Sequence, residues 1–188
     1  PAKQTIELQE TGSTNLVALE MSNLEPGDHV IAHNQTSGKG RKGREWISRP
    51  GDFTASWVLP VTPHFIERPQ TTQLRAAIAT MDALLRWLGQ PSITFDPANA
   101  WHHDFGLKWP NDLMYQGRKC GGILIQGHQQ GAVSKTVVGI GINFTVASEP
   151  WGSLHGLHPS GNSSELVEHL TAAIAHWFGT GPAGKPPH

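Results

Sequence analysis

The sequence predicts one α+β domain, with a mainly antiparallel or mixed sheet flanked by helices. Two observations predict this class: hairpin turns dominate over β-α-β alternation, and long helical periods stand apart from a run of strands. A third is the single cysteine, Cys120, which cannot form an internal disulfide and leaves stability to a hydrophobic core. The 188 residues suit one unit at ~150 residues per domain. We therefore expect a single domain over 1–178.

The first half of the chain gives two helices and two strands. Ser13-Thr14-Asn15 caps a helix that Pro26-Gly27 ends. Residues 29–35 and 53–61 are rich in β-branched and aromatic residues, which predicts strands. From Thr71 to Gly89 a second helix is indicated by apolar residues at steps of three and four, namely Leu74, Ile78, Met81, Leu85 and Leu88.

The second half reads as hairpins followed by a helix. Residues 90–106 have two prolines and no helical period, so we expect an excursion before a strand at 106–109. Gln116-Gly117 predicts a tight turn between 112–115 and 118–126, and 127–134 would turn the chain into a strand at 135–144. A capped helix is expected at 162–178. The tail 179–188 is expected to be disordered, with no helix-turn-helix before Ser13 and no C-terminal barrel.

Charge and composition disfavour several classes of protein. Lys and Arg number 14 against 15 acids, so an extended nucleic-acid-binding surface is not expected. No apolar run approaches the ~18 residues that span a bilayer, and no signal core begins the sequence, so a cytoplasmic protein is expected. The 11 histidines are scattered without zinc-ligand spacing, so no metal site is expected from the protein alone.

A basic, glycine-rich segment at 38–46 is the first candidate for chemistry. Four of its residues are cationic and three glycines alternate with them. Glycine lets backbone amides approach an anion, and Arg and Lys donate charge-assisted hydrogen bonds. The pattern favours binding of a phosphate or carboxylate, although a solvated loop or an RNA-binding tract has the same composition.

Polar residues around a strand end are the second candidate. Lys108-Trp109-Pro110 should end a strand and leave Asn111 and Asp112 at its edge, where Lys119 could approach from the next strand. A surface ion pair between Lys108 and Asp112 is the alternative. In 138–143, glycine at every second position leaves one strand face bare, either for a close-packed helix or for a flat ligand.

Three strings in order, QTSGKGRKGREW, KWPNDLMYQGRKCGGILI and VVGIGIN, with STN upstream, resemble the catalytic domain of the biotin protein ligases. The resemblance implies formation of biotinoyl-5′-AMP from biotin and ATP, with Mg²⁺ on the phosphates, and transfer of biotin to a lysine of a carrier domain of a carboxylase. A homodimer is left open. The same fold in lipoate or octanoate ligases, and a non-catalytic module that binds biotin, adenylate or carrier, are the alternatives.

The resemblance also implies site residues. Lys119, Arg41 and Asp112 would be catalytic, with Lys119 as the main electrostatic group. Ser13, Thr14 and Gln35 would hydrogen-bond the ureido ring of biotin. The implied biotin site comprises Ser13, Thr14, Asn15, Gln35, Gly38, Lys39, Arg41, Trp46, Lys119, Gly122, Leu124 and Gly141. The implied ATP and adenylate site comprises Arg41, Arg44, Trp46, Lys108, Asn111, Asp112, Lys119, Ile140 and Asn143.

Overall fold

The computed structural model describes residues 3–61, 69–89, 104–130, 133–145, 149–157 and 163–179. Most of the excursion expected at 90–106 and nearly all of the tail expected at 179–188 lie outside these ranges, and the end of that excursion, Phe105 and Gly106, is strand rather than loop. The described strands are β1 (Thr5–Leu8), β2 (His29–Ala32), β3 (Gly38–Lys39), β4 (Glu45–Trp46), β5 (Phe53–Leu59), β6 (Phe105–Lys108), β7 (Asp112–Tyr115), β8 (Arg118–Gln130) and β9 (Val133–Ile142). The helices are α1 (Thr14–Glu20), α2 (Pro69–Trp87) and α3 (Ser163–Phe178).

Seven strands form one sheet in the order β1-β2-β5-β9-β8-β7-β6. The β1–β2 pair is parallel and the other described neighbours are antiparallel. Strands β3 and β4 pair in a separate two-stranded hairpin. The predicted α+β class with a mainly antiparallel sheet is thus confirmed.

The two faces of the sheet have different partners, as the alternation of side chains in β5 shows. Phe53, Ala55, Trp57 and Leu59 enter the main core with residues of α2 and α3. On the opposite face Val58 packs with Ala18 of α1 in a second cluster. Because side chains alternate along a strand, this second face also receives the polar groups of β5, and the functional cleft is built on it.

Several boundaries differ from the predictions. Helix α1 ends at Glu20, well before Pro26, and the Nζ of Lys135 donates to carbonyls at its end, including Met21 O at 2.5 Å. The ladder between β8 and β9 runs to the Gln130–Val133 pair, so the expected turn at 127–134 is largely strand. Strands β1, β3 and β4 had no predicted bounds.

Helix α2 is buried through most of the predicted face and through the small residues beside it. Of the predicted apolar period, Met81 and Leu85 are buried and Leu88 packs against the main core, whereas Leu74 is 42% exposed. The alanines of the same helix are almost fully buried as well: Ala76, Ala77, Ala79 and Ala83. Alanine lets two helices approach closely, so the contact surface of α2 extends beyond the apolar period that the sequence showed.

Candidate functional site

A β-bulge places Lys119 in the cleft. In the β7–β8 ladder Leu113 pairs with Gly121 and Met114 pairs with Lys119, so Cys120 is the extra residue. An extra residue reverses the alternation locally. Cys120 therefore lies in the core with Ile123, and Lys119 faces the cleft. Burial raises the pKa of the Cys120 thiol to about 12, so this group stays neutral.

The cleft has a volume of about 390 Å³ and lies on the sheet face that carries α1. It brings together nearly all the residues that the resemblance implied. Those that line it are Ser13, Thr14, Asn15, Gln35, Lys39, Arg41, Arg44, Trp46, Lys108, Asn111, Asp112, Lys119, Gly122, Leu124, Ile140, Gly141 and Asn143. Gly38 lies outside it, in an adjoining open groove on the same loop. Arg41 and Lys119 thus share one cavity, as predicted.

One end of the cleft is cationic. The Nζ of Lys119 lies 2.7 Å from an Asp112 carboxylate oxygen, and both side chains are about one quarter exposed, at 25% and 26%. Nη1 of Arg41 donates to Asn111 Oδ1 at 3.2 Å, which links the glycine-rich loop to the turn between β6 and β7. The observed ion pair of Asp112 is therefore with Lys119, and Lys108 faces Asp112 only as its backbone partner in the hairpin.

The other end is a buried cluster of neutral polar groups. Gln35 Oε1 accepts from the Thr14 backbone N–H at 2.8 Å, which satisfies a free amide at the start of α1. Ser13 precedes this helix but its side chain makes no capping hydrogen bond. Its hydroxyl lines the cleft, so the role of Ser13 is not that of an ordinary cap.

The glycines of β9 make room for two side chains of the protein itself, and the first of these matches the close-packed helix that the sequence left open. A Cβ on Gly139 would lie 2.2 Å from Asn15 Oδ1, so this glycine admits a side chain of α1. A Cβ on Gly141 would lie 2.6 Å from the Trp46 ring, so this one lets a flat indole lie against the backbone. Trp46 Nε1 is a buried donor without a hydrogen-bond partner among the described residues.

Two of the residues that the resemblance implied as ligand-binding also stabilise the fold. The Ile140 side chain is 2% exposed and packs in the main core, so it can offer only backbone to the cleft. Asn143 is 6% exposed and its Nδ2 donates to Gly152 O at 3.0 Å. Its amide fastens the 149–157 segment to the end of β9, which differs from direct binding of a nucleotide.

The sequence analysis missed Trp151 and Ser56. Trp151 lines the cleft and lies 6.0 Å from Lys119 Nζ, on a segment held by the hydrogen bond from Gly152 N–H to Lys119 O at 2.8 Å. Nζ is also 5.9 Å from the Trp46 ring. Ser56 contacts the side chains of α1 from β5. Glycine spacing drew attention to β9, but no sequence signal singled out these two residues.

Within the described part of the chain, no three or more His, Cys, Asp or Glu residues are grouped to hold a metal ion. None of the described helices is both long and apolar enough to span a membrane. The sheet and its cleft define a class of α+β protein in which one cavity has a buried neutral polar end and a cationic end.

Known proteins are similar to this chain in sequence and in fold. Residues 5–143 match the model of the biotin/lipoate A/B protein ligase family. The chain is 32% identical to a biotin–[acetyl-CoA-carboxylase] ligase of Paracoccus denitrificans, covering 90% of this chain and 71% of that one. A similarly named protein of Mycobacterium tuberculosis is 32% identical, with 96% and 67% covered. The biotin protein ligase of Aquifex aeolicus, solved in complex with biotin and ATP, superposes with a TM-score of 0.68 at 27% identity, over 93% of this chain and 69% of that one.

The chain belongs to the biotin/lipoate A/B protein ligase family.

Proposed function

We propose that this protein is an ATP-dependent biotin protein ligase. It joins biotin and ATP to give biotinoyl-5′-AMP and pyrophosphate, and then transfers biotin to a lysine of a carboxylase carrier domain. The observation that carries the proposal is the joining, in one cleft, of a buried neutral polar end with the Arg41 and Lys119 cations. The names of the relatives, at 32% identity, support the choice of biotin and ATP.

The first step needs two anions brought together. A carboxylate oxygen of biotin attacks the α-phosphorus of ATP, a P–O bond forms, and pyrophosphate leaves. Charge increases on the phosphoryl oxygens in the transition state, so preorganised cations accelerate the reaction. Lys119 is the central cation of the cleft, and Arg41, with Arg44 and Lys108 at its margin, adds positive charge to the phosphate side.

The second step forms the amide. The neutral amine of the acceptor lysine attacks the acyl carbon of the adenylate, AMP leaves with the electron pair of the C–O bond, and the nitrogen gives up one proton. Asp112 lies 2.7 Å from Lys119 and lines the same cleft, so its carboxylate is positioned to orient the acceptor lysine and to take up that proton, directly or through water. Asn111 in turn holds the loop that carries Arg41.

The ureido ring of biotin occupies the neutral end of the cleft. Ser13, Thr14, Asn15 and Gln35 supply or support its hydrogen bonds, while Trp46, Gly122, Leu124 and Gly141 bound the chain beside it. An otherwise apolar pocket with a few fixed polar groups orients a ligand in one way. Gly38 and Lys39 shape the loop above it.

Mg²⁺ enters with ATP and is held by phosphate oxygens and water. The described residues present no acidic cluster that would hold it alone, so we assign it no protein ligand. We further propose that residues 1–178 act as a single catalytic domain in the cytoplasm, with a carrier domain as the protein partner. A homodimer is compatible with this proposal.

One assay tests the function. The purified chain is mixed with ATP, Mg²⁺ and labelled biotin, and biotin-dependent exchange between ATP and pyrophosphate is measured. A carboxylase carrier domain is then added, and label on the carrier is scored. Exchange and labelled carrier are expected. Displacement of biotin by lipoate would instead support a lipoate ligase, and biotin binding without exchange would identify a binding module.

A further inference from the structure

A chain of buried hydrogen bonds runs beneath the neutral end of the cleft. Ser56 Oγ lies 2.7 Å from Thr14 Oγ1 and 2.6 Å from Asn15 Oδ1. Asn15 Nδ2 donates to Gln126 Oε1 at 2.7 Å and to Leu124 O at 3.3 Å. Ser56 is fully buried, and Thr14 and Asn15 are 3% and 4% exposed. The chain therefore connects β5, α1 and β8 with little access to water.

The number of hydrogens fixes the direction of these bonds. Leu124 O can only accept, so the Asn15 group beside it is the NH₂, and Asn15 Oδ1 needs a donor. The single hydroxyl hydrogen of Ser56 is therefore donated to Asn15 Oδ1. The short contact between Ser56 and Thr14 then requires that Thr14 donate its hydrogen to Ser56.

This direction determines what Thr14 offers to a ligand. Its hydrogen points to Ser56, so Thr14 Oγ1 and Gln35 Oε1 stand 3.1 Å apart as two acceptors at the cleft. A ligand N–H satisfies both of them. A ureido ring supplies such a donor, whereas the dithiolane of lipoate or a bare acyl chain supplies none.

We propose that Ser56 is a positioning residue that sets the ligand preference of the cleft. It takes up the Thr14 hydroxyl hydrogen, which would otherwise be donated to Gln35, and so leaves Gln35 Oε1 and Thr14 Oγ1 free to accept a ureido N–H together. Gln126 accepts a hydrogen bond from the Asn15 NH₂ and so fixes the orientation of the Asn15 amide, which keeps Asn15 Oδ1 facing Ser56. The inference rests on the proposed function and adds two residues that do not themselves contact the reacting atoms.

The test is a thermodynamic cycle that combines a change in the protein with a change in the ligand. Biotin and two carbamate analogues, each with one ureido NH replaced by oxygen, are titrated calorimetrically against wild type and Ser56→Ala. In the wild type, one analogue should bind roughly tenfold more weakly than biotin, as expected for a buried polar group left unpaired. In Ser56→Ala this gap should shrink to about twofold or less, because Thr14 then donates to Gln35.

Thr54→Ala is the matched control. Thr54 is a buried neighbour on the same face of β5, and its hydroxyl donates to Ala32 O at 2.8 Å, away from this chain of bonds. Its loss should lower stability while the gap between biotin and the analogue stays as in the wild type. Equal gaps in wild type and Ser56→Ala, or a gap lost equally in Thr54→Ala, would overturn the proposal.

A second variant keeps the test decisive if Ser56→Ala does not fold. Gln126→Met removes the acceptor of the Asn15 NH₂ at the other end of the chain of hydrogen bonds, and it should also reduce the difference in affinity between biotin and the analogue. An unchanged difference in this variant would overturn the inference. The wild-type protein distinguishes failure of this inference from failure of the proposed function. If the wild type binds biotin and exchanges pyrophosphate but the variants show an unchanged difference in affinity between biotin and the analogue, only this inference is wrong. If the wild type binds no biotin, the proposed function is wrong as well.

Discussion

The two ends of the cleft are built on different physical terms. At the neutral end, Thr14, Asn15 and Ser56 are at most 4% exposed and each has a hydrogen-bond partner in the protein. At the cationic end Arg41 is exposed, with one bond to Asn111, and Lys119 is paired with a carboxylate at the surface of the cleft. Hydrogen bonds within the protein fix the side chains of the neutral end. The side chains of the cationic end can instead rearrange around an anionic ligand.

The difference follows from what each end must recognise. A neutral ring is distinguished by fixed donors and acceptors, since a buried polar group left unpaired costs about 1–3 kcal/mol. An exposed ion pair is worth only about 0–1 kcal/mol, so cations at a cleft mouth can change partners at small cost. The protein thus separates ligand choice from charge stabilisation.

The largest effect should come from Lys119→Ala. Removing this cation should slow formation of the adenylate by roughly 10²–10³-fold, because its charge matters most as phosphoryl charge develops. The dissociation constant for biotin should change by about threefold or less, since the neutral end binds the ring without it. Single-turnover adenylation and calorimetric binding measure the two quantities.

Lys3→Ala is the control for loss of a lysine, because Lys3 contacts Pro26 O far from the cleft lining. It should leave both quantities at wild-type values. Equal losses of binding and adenylation in Lys119→Ala would show that the two ends are not separate.

Adding a methyl group at Gly139 or Gly141 tests the neutral end and the Trp46 wall of the cleft separately, and the Trp46 ring lies 5.9 Å from Lys119 Nζ. A Cβ at 141 would meet the Trp46 ring at 2.6 Å, and one at 139 would meet Asn15 at 2.2 Å. We expect Gly139→Ala to weaken biotin binding by about tenfold or more, because it displaces the buried cluster. Gly141→Ala should weaken retention of the adenylate more than binding of biotin.

Gly127→Ala on β8 is the matched control, because its added Cβ would meet only ordinary contacts at 3.7 Å. Titrations with biotin and with a stable adenylate analogue measure the effect of each variant on each ligand. If Gly139→Ala and Gly141→Ala lose affinity for both ligands to the same extent, the two parts of the cleft do not act separately.

A smaller effect is expected for Arg41→Gly. The exposed guanidinium holds the loop to Asn111, so its removal should speed release of the adenylate roughly tenfold with biotin affinity nearly unchanged. Release of labelled adenylate into a chase of unlabelled ligand measures the rate. An unchanged release rate would mean that the loop is held by other contacts.

Local sequence patterns marked parts of both ends of the cleft, but not the residues that distant segments bring to them. Glycine and charge patterns mark a loop such as 38–46 because they are local, and Lys119 is close in sequence to Asn111 and Asp112. Ser56 and Trp151 became visible only in the structure, since their roles depend on strand order and on where the 149–157 segment docks. Long-range contacts leave no local pattern.

The same limit explains the errors in the fold. The apolar period of α2 predicted the helix and most of its buried face, since Met81 and Leu85 are buried. It did not predict the buried alanines beside them, because these are small rather than strongly apolar. The bulge at Cys120 was invisible for a related reason: it is defined by pairing with β7, which one strand's sequence does not contain.

The smallest effect concerns the fold outside the cleft. Burial lowers the pKa of His29 below its ordinary value of 6.5, and the Gly27 backbone and Asp28 oppose this only in part. The ring stacks on Trp57 and its Nε2 lies 3.0 Å from Thr5 Oγ1. The unfolded chain therefore binds a proton that the folded chain resists, so the free energy of unfolding falls as pH drops from about 6.5 toward the folded-state pKa.

His29→Gln should remove this contribution. Denaturant unfolding between about pH 7.5 and pH 5 should show a smaller loss of stability in the variant than in the wild type, with the difference growing below about pH 6.5. His33→Gln is the control, because His33 is exposed and pairs with Glu7 at the surface. Parallel pH curves for wild type and His29→Gln would place the acid sensitivity elsewhere.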